Sequence, residues 1–306
     1  MISFLLYLIS LIPLPILYLF SDFSAYLLYH VFKYRRIVVS ENIKNSFPNL
    51  TDFERICIEK KFYKNFSDSF IETIKLLSIS EKKLQSHITA DYSELEKILS
   101  KNQNCHIYLG HQFNWEWANA HIASVLQNTN IVSVYKPLRN KSANDLILKI
   151  RSRFGTKMVS SKNMKKEMLS FTDQKHVLIL VADQNPNIPQ KSFWTSFLNQ
   201  RTAFLSGTEL NTAHHKTPSL FANIIRVKRG HYKLEVTPFF DFSKTYEIGL
   251  ITNIFTKKLE NAIIVDPQNY LWSHKRWKHK YKNEYQKRWI NNTKENLLIN
   301  ERVNSI

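Results

Sequence analysis

Hydrophobic and polar positions along this chain fall into three successive patterns. From Met1 to Ser21 no side chain is charged, and apolar residues follow one another almost without interruption. From residue 22 to about Leu77 the apolar positions recur at helical spacing among aromatic and charged residues. Thr51 and Glu54 sit where a capping box would start a long helix, and Ser80 is placed to cap a short one from Glu81. A loop is expected near Thr89, then a helical stretch over 94–99. Beyond residue 104 the pattern changes to alternation. Short apolar runs at 105–109, 131–135 and 177–182 read as buried strands, and the stretches 113–127, 142–153 and 162–172 read as helices. Residues 218–226 and 231–238 read as two strands around Lys228-Arg229-Gly230, and 246–263 has helical spacing. Alternating strand and helix predict an α/β fold with a mostly parallel central sheet. No internal repeat or long linker is visible.

The uncharged N-terminus predicts more than a core helix. Twenty-one helical residues would span about 30 Å, the hydrocarbon thickness of a bilayer. Pro13 and Pro15 would kink such a helix or split it into a re-entrant pair. A second apolar stretch runs to Phe32, and Lys33, Arg35 and Arg36 follow. The expected organisation is a membrane anchor over 1–32, a single catalytic body over 33–290 facing the cytoplasm by the positive-inside rule, and a polar tail over 291–306.

Charge and composition narrow the partners. A net charge of +18 implies an anionic one: a membrane surface, an acidic protein, a phosphorylated lipid or a nucleic acid. Two cysteines supply no disulfide framework and no metal cluster, and five glycines leave no phosphate-cradling loop. Neither a metal nor a nucleotide cofactor is expected. No G-x-S-x-G elbow occurs, which argues against a serine hydrolase.

The candidate chemistry lies at predicted strand ends. His111 follows the apolar run 105–109 and a glycine, and Glu116 stands five positions later, so an imidazole base beside an orienting carboxylate is the expectation. Asp183 and Gln184 follow the run 177–182, and carboxyl ends of strands form the ligand crevice of open α/β sheets. Lys136 and Arg139 follow another strand end, with Arg151 and Arg153 one helix on. These cations suit a phosphate, while each alone also reads as a solvated basic residue. Phe193 to Leu198 forms an aromatic cluster, and 202–209 reads as opening a helix.

Six blocks in order resemble the late acyltransferases of lipid A biosynthesis, within the wider lysophospholipid acyltransferase group. They are Tyr34-Arg35-Arg36 with Asn42-Ile43 and Ser46-Phe47-Pro48; Gly110-His111 through Glu116; Tyr135-Lys136-Pro137 with Asn140; Arg151 to Gly155; Ala182-Asp183-Gln184; and Pro267 through Lys278. The chain departs from many relatives in carrying Asn185-Pro186-Asn187 where a glycine usually follows soon after. The resemblance implies a membrane-bound enzyme of the bacterial inner membrane that moves an acyl group from acyl carrier protein to a hydroxyl of a phosphorylated glycolipid. His111 would be the general base and Glu116 its orienting acid. Asn114, Lys136, Arg139, Arg151, Arg153, Asp183 and Gln184 would contact substrate, and no nucleic acid would be bound. Acylation of another lyso- or hydroxyacyl lipid, such as an aminolipid, and a non-enzymatic, basic, membrane-anchored binding protein stand beside this reading.

Overall fold

A proline decides the shape of the N-terminus. The computed structural model describes residues 2–243 and 245–290, so the expected tail over 291–306 lies outside the described residues. Ile2–Leu11 (α1) and Leu14–Tyr26 (α2) are separate helices of 10 and 13 residues, with Pro13 at the N-cap of the second. Proline lacks the amide hydrogen that would continue the first helix, and its ring clashes with the preceding turn. Helices this short rise only about 15 to 20 Å. Among the described residues no helix is long and apolar enough to cross a membrane, which corrects the expectation of a spanning anchor.

These two helices are instead fastened to the body. α2 buries Leu14, Leu17, Ser21 and Ala25, one face at near-helical spacing. A π-helical turn over 27–31 follows, and Lys33 and Arg35 adopt positive φ before Arg36–Ser46 (α3). Asp52–Lys75 (α4) begins at the expected capping box, with the Thr51 amide donating to Glu54 at 2.7 Å. From α4 the fully buried Asp68 accepts from Ser21 Oγ at 2.7 Å, Arg226 Nη2 at 2.5 Å and Arg229 Nη2 at 2.6 Å. Arg229 also reaches Asp22 of α2 at 2.8 Å.

Glu81–His87 (α5) leads to Ile88–Asp91 (β1), and Ser93–Ser100 (α6) to Cys105–Leu109 (β2). The alternation then continues through Trp115–Val125 (α7), Asn130–Tyr135 (β3), Lys141–Ser152 (α8), Lys157–Ser160 (β4), Met164–Met168 (α9) and His176–Val181 (β5). Phe193–Phe197 (β6) and Gln200–Phe204 (β7) form a separate antiparallel hairpin. Ser206–His214 (α10), Ser219–Lys228 (β8), His231–Phe240 (β9) and Leu250–Val265 (α11) complete the fold.

The seven-stranded sheet has the order β1-β9-β8-β2-β5-β3-β4, and every pairing is parallel except β8 with β9. That matches the expected α/β class with a mostly parallel sheet. Two hydrophobic clusters cover its faces. One joins Ile107, Ile179 and Leu220 to α5, α6 and α7, and the other joins Tyr108, Leu178 and Phe221 to α4 and α11. β2 is buried along its whole length, which explains its unbroken apolar reading.

Four strands were not expected from the apolar pattern. β1 buries only Ile88, where a loop was expected, and the first half of β4 is not buried. The β6–β7 hairpin takes up the aromatic cluster and the residues expected to open a helix, so α10 starts only at Ser206. The second hairpin turns at Arg229 and Gly230, and Gly230 has a φ of 72°, a conformation that favours glycine.

Candidate active site

Parallel register brings the site together. β2 and β5 are neighbours with Leu109 opposite Val181, so the residues two positions beyond each, His111 and Asp183, emerge side by side. Between Leu109 and His111 stands Gly110, where a Cβ would lie 2.5 Å from Leu259 of α11; glycine lets that helix close on the strand end. The loop after β3, carrying Lys136, leaves the sheet at the same edge.

The carboxylate bonded to the His111 ring is Asp183. Nδ1 of His111 lies 2.6 Å from Asp183 Oδ1, and the His111 amide donates to Oδ2 at 3.0 Å. Asp183 is 2 % exposed. Burial alone would raise its pKa, but attraction to the His111 ring when that ring is protonated, two hydrogen bonds from His111 and the Arg276 charge outweigh it and hold the carboxyl below the usual range. A carboxylate can only accept, so Nδ1 carries the hydrogen, and in the neutral ring Nε2 is the nitrogen with the lone pair. Gln184 Nε2 sits 3.3 Å from that Nε2, and Trp115 packs edge-on against the ring at 5.0 Å.

Glu116, which the spacing pointed to as the orienting acid, turns to another partner. Its two oxygens accept from Arg151 Nε and Nη2 at 2.6 to 3.1 Å, and Oε1 also from Trp115 Nε1 at 3.0 Å. A bidentate pair of this kind is strong and directional. Helical geometry is the reason: Glu116 stands in the first turn of α7, facing α8. Asn114 caps that turn, accepting from the amides of Glu116 and Trp117, and its Nδ2 donates to Glu72 at 2.9 Å. Its amide group is therefore engaged within the fold. Nη1 of Arg153 is taken by the carbonyls of Leu76 and Ile79, both at 2.6 Å. Lys136 and Arg139 are exposed.

Glu72 was not singled out by sequence. This buried carboxylate gathers the hydroxyl of Tyr18 at 2.8 Å, that of Tyr232 at 2.6 Å and the amide of Asn114. Burial pushes its pKa up, against those hydrogen bonds. The group ties α2, β9 and the loop after His111 to one point of α4.

The C-terminal block closes the site from the other side. Asn269 O accepts from the Phe113 amide at 2.9 Å, and His111 O accepts from the Leu271 amide at 3.1 Å. Asn42 Nδ2 donates to the carbonyls of Trp272 and His274, and Arg35 Nη1 to that of Ser273 at 2.9 Å. The blocks at 34–48 and 267–278 thus meet at the His111 loop. Burial, then the His111 charge, press His274 down to about 4. Tyr270 is buried beside Asp183, and burial raises its phenol well above the usual value. The histidine and arginine of this block were visible as a motif, but spacing alone assigned them no role.

The arrangement is a buried acid, an imidazole whose second nitrogen meets only the Gln184 amide among the described residues, and a paired arginine at the mouth of a parallel sheet. Against known proteins, the profile of the family described as bacterial lipid A biosynthesis acyltransferase matches residues 1–279. A lipid A biosynthesis acyltransferase of Haemophilus influenzae is 23% identical over 247 residues, covering 79% of this chain and 76% of that protein.

Proposed function

Since the chain belongs to the bacterial lipid A biosynthesis acyltransferase family and is an acyltransferase, we propose that His111 is the general base for transfer of a fatty acyl group from a thioester, carried by acyl carrier protein, to a hydroxyl of a lipid A precursor. The observation that carries this reading is the Asp183–His111 pair at a strand end, with Nε2 turned toward Gln184. The acceptor hydroxyl gives its proton to Nε2 while its oxygen attacks the thioester carbonyl carbon. The tetrahedral intermediate collapses with cleavage of the carbon–sulfur bond. The departing thiolate takes the proton back from Nε2, leaving an ester and a free thiol. Asp183 holds the ring and balances the imidazolium while it exists. Gln184 contacts the acceptor, and the Glu116–Arg151 pair presents a fixed guanidinium edge to an anionic group. Lys136 and Arg139 add positive charge at the same rim.

The test is mass spectrometry of lipid A and total polar lipids from cells lacking the gene, carrying wild type, or carrying His111→Ala. Loss of one acyl chain from lipid A, restored only by wild type, is the expected result. An unchanged lipid A with one acylated aminolipid missing would move the acceptor. No lipid change at all would sink the enzyme reading.

The N-terminal helices supply a membrane contact without crossing. Ile16, Leu19, Phe20 and Phe23 recur at i, i+3, i+4 and i+7 opposite the buried face of α2, and all are exposed, Leu19 by 69%. Phe4, Leu5, Leu8 and Leu11 extend the apolar surface along α1. A face of this kind suits insertion in the plane of a leaflet, and the +18 charge suits anionic headgroups. The proposed location is the cytoplasmic leaflet of the bacterial inner membrane. Replacing Leu19 and Phe23 together by Glu is expected to abolish co-flotation with anionic vesicles and leave the melting temperature unchanged. Undiminished flotation would show that the charge alone attaches the protein.

A further inference from the structure

We propose that the C-terminal strap from Lys275 to Arg288 is the docking surface for an acidic protein, the carrier that presents the acyl thioester. The inference rests on the reading of the chain as an enzyme that takes its acyl group from such a carrier, and it adds where that carrier sits.

The strap is fixed by rings on its inner side. Trp194 of the β6–β7 hairpin is fully buried and stacks on Tyr285, with ring centres 5.0 Å apart. Tyr281 meets Trp194 edge-on at 5.4 Å and Trp289 at 5.5 Å. The Ile290 amide donates to the Trp194 carbonyl at 3.0 Å. Nε2 of His279 donates to the Pro186 carbonyl at 2.9 Å, and Pro186 stands two residues beyond Gln184, whose side chain reaches His111. The strap is thereby held against a loop that carries part of the site.

With the rings turned inward, the outward face is cationic. Lys275, Lys278, Lys280, Lys282, Lys287 and Arg288 are exposed, and Glu284, 3.8 Å from Lys282, is the one acid among them. No large apolar side chain from 275 to 288 is exposed, so this face has nothing to insert between lipid chains, unlike α1 and α2. Its charge is carried mostly by lysines, mobile point charges rather than the planar forks that clamp a single phosphate. Such a spread of charge steers and orients a large partner of opposite sign. Sheet order gives the partner its place. β2, which leads to His111, lies between β8 and β5. α2 is fastened on the β8 side through Arg229, and the strap on the β5 side through Pro186. A lipid acceptor from the leaflet and a thioester from a docked carrier therefore approach the base from opposite sides.

The test compares donors. Lys280→Glu with Lys282→Glu is set beside Lys101→Glu with Lys175→Glu, an equal change of charge at the opposite edge of the sheet, before β2 and β5. Purified enzymes in detergent receive the same acyl group on acyl carrier protein or on pantetheine, with a lipid A precursor as acceptor. The strap variant is expected to raise KM for the carrier-borne donor about tenfold with kcat unchanged, and to keep wild-type turnover of the pantetheine thioester. The control pair is expected to stay within about twofold of wild type on both donors. Titration calorimetry with acyl carrier protein is expected to show binding that added salt weakens and the strap variant loses. Equal loss on both donors, or an equal effect of the control pair, would overturn the surface. So would lost vesicle flotation with the carrier's KM intact, which would make the strap a membrane contact. A wild type without turnover on either donor would remove the acyl-transfer reading, while calorimetry would still decide whether the strap takes an acidic protein.

Discussion

Asp183→Asn is expected to lower acyl transfer by about 10³- to 10⁴-fold while leaving the protein folded. The asparagine keeps the shape of the side chain, so the amide of His111 still finds an acceptor oxygen. What it loses is the charge that fixes the hydrogen on Nδ1. The ring can then place its hydrogen on Nε2, where it no longer accepts a proton. The imidazolium formed during transfer also loses its counter-charge. His111→Ala should fall at least as far. Glu116→Gln leaves the ring bonded to Asp183 and is expected to cost less in kcat, and more in the binding of an anionic acceptor through Arg151. Single-turnover transfer on purified variants, with melting curves alongside, separates the cases. Asp183→Asn within tenfold of wild type, beside a Glu116→Gln variant down by three orders, would restore Glu116 as the orienting acid.

Asp68→Ala is expected to cost about 3 to 5 kcal/mol of stability. Asp68 is fully buried and meets Arg226 of β8 and Arg229 of the turn that follows it, as well as Ser21 of α2. Removing it leaves Arg226 and Arg229 partly buried and short of a counter-charge. The worth of the intact pair is smaller than this figure, because the figure is mostly the penalty of the orphaned cations. Urea unfolding in detergent micelles measures the change, and limited proteolysis reports whether α1 and α2 stay docked. A loss under about 1 kcal/mol with both helices protected would show that apolar packing alone seats them.

How much was legible follows from which forces act locally. Strands β2, β3 and β5 could be read because they are buried on both faces, which writes an unbroken apolar run into the sequence. The capping box at Thr51 could be read because its bonds span three residues. β1 and β4 could not, since they are held by neighbours far away in the chain while part of each faces solvent. The N-terminus was read by hydropathy, which weighs side chains and overlooks the backbone amide that Pro13 lacks. At the site, His111 was found from its strand end and glycine. Its carboxylate partner was misplaced, because sequence proximity suggested Glu116 and a 72-residue separation hides Asp183.

The chain by itself determined the α/β class, the strand-end position of His111, Asp183 and Gln184, the cationic character and the family. Each of these rests on local periodicity, on composition or on ordered motifs. Only the tertiary structure decided which acid holds the imidazole, since parallel register between β2 and β5 selects the pair. It also decided that Glu116 serves Arg151 and that Asn114 is a cap tied to Glu72. Those are long-range contacts, made when the sheet assembles, and no spacing along the chain encodes them.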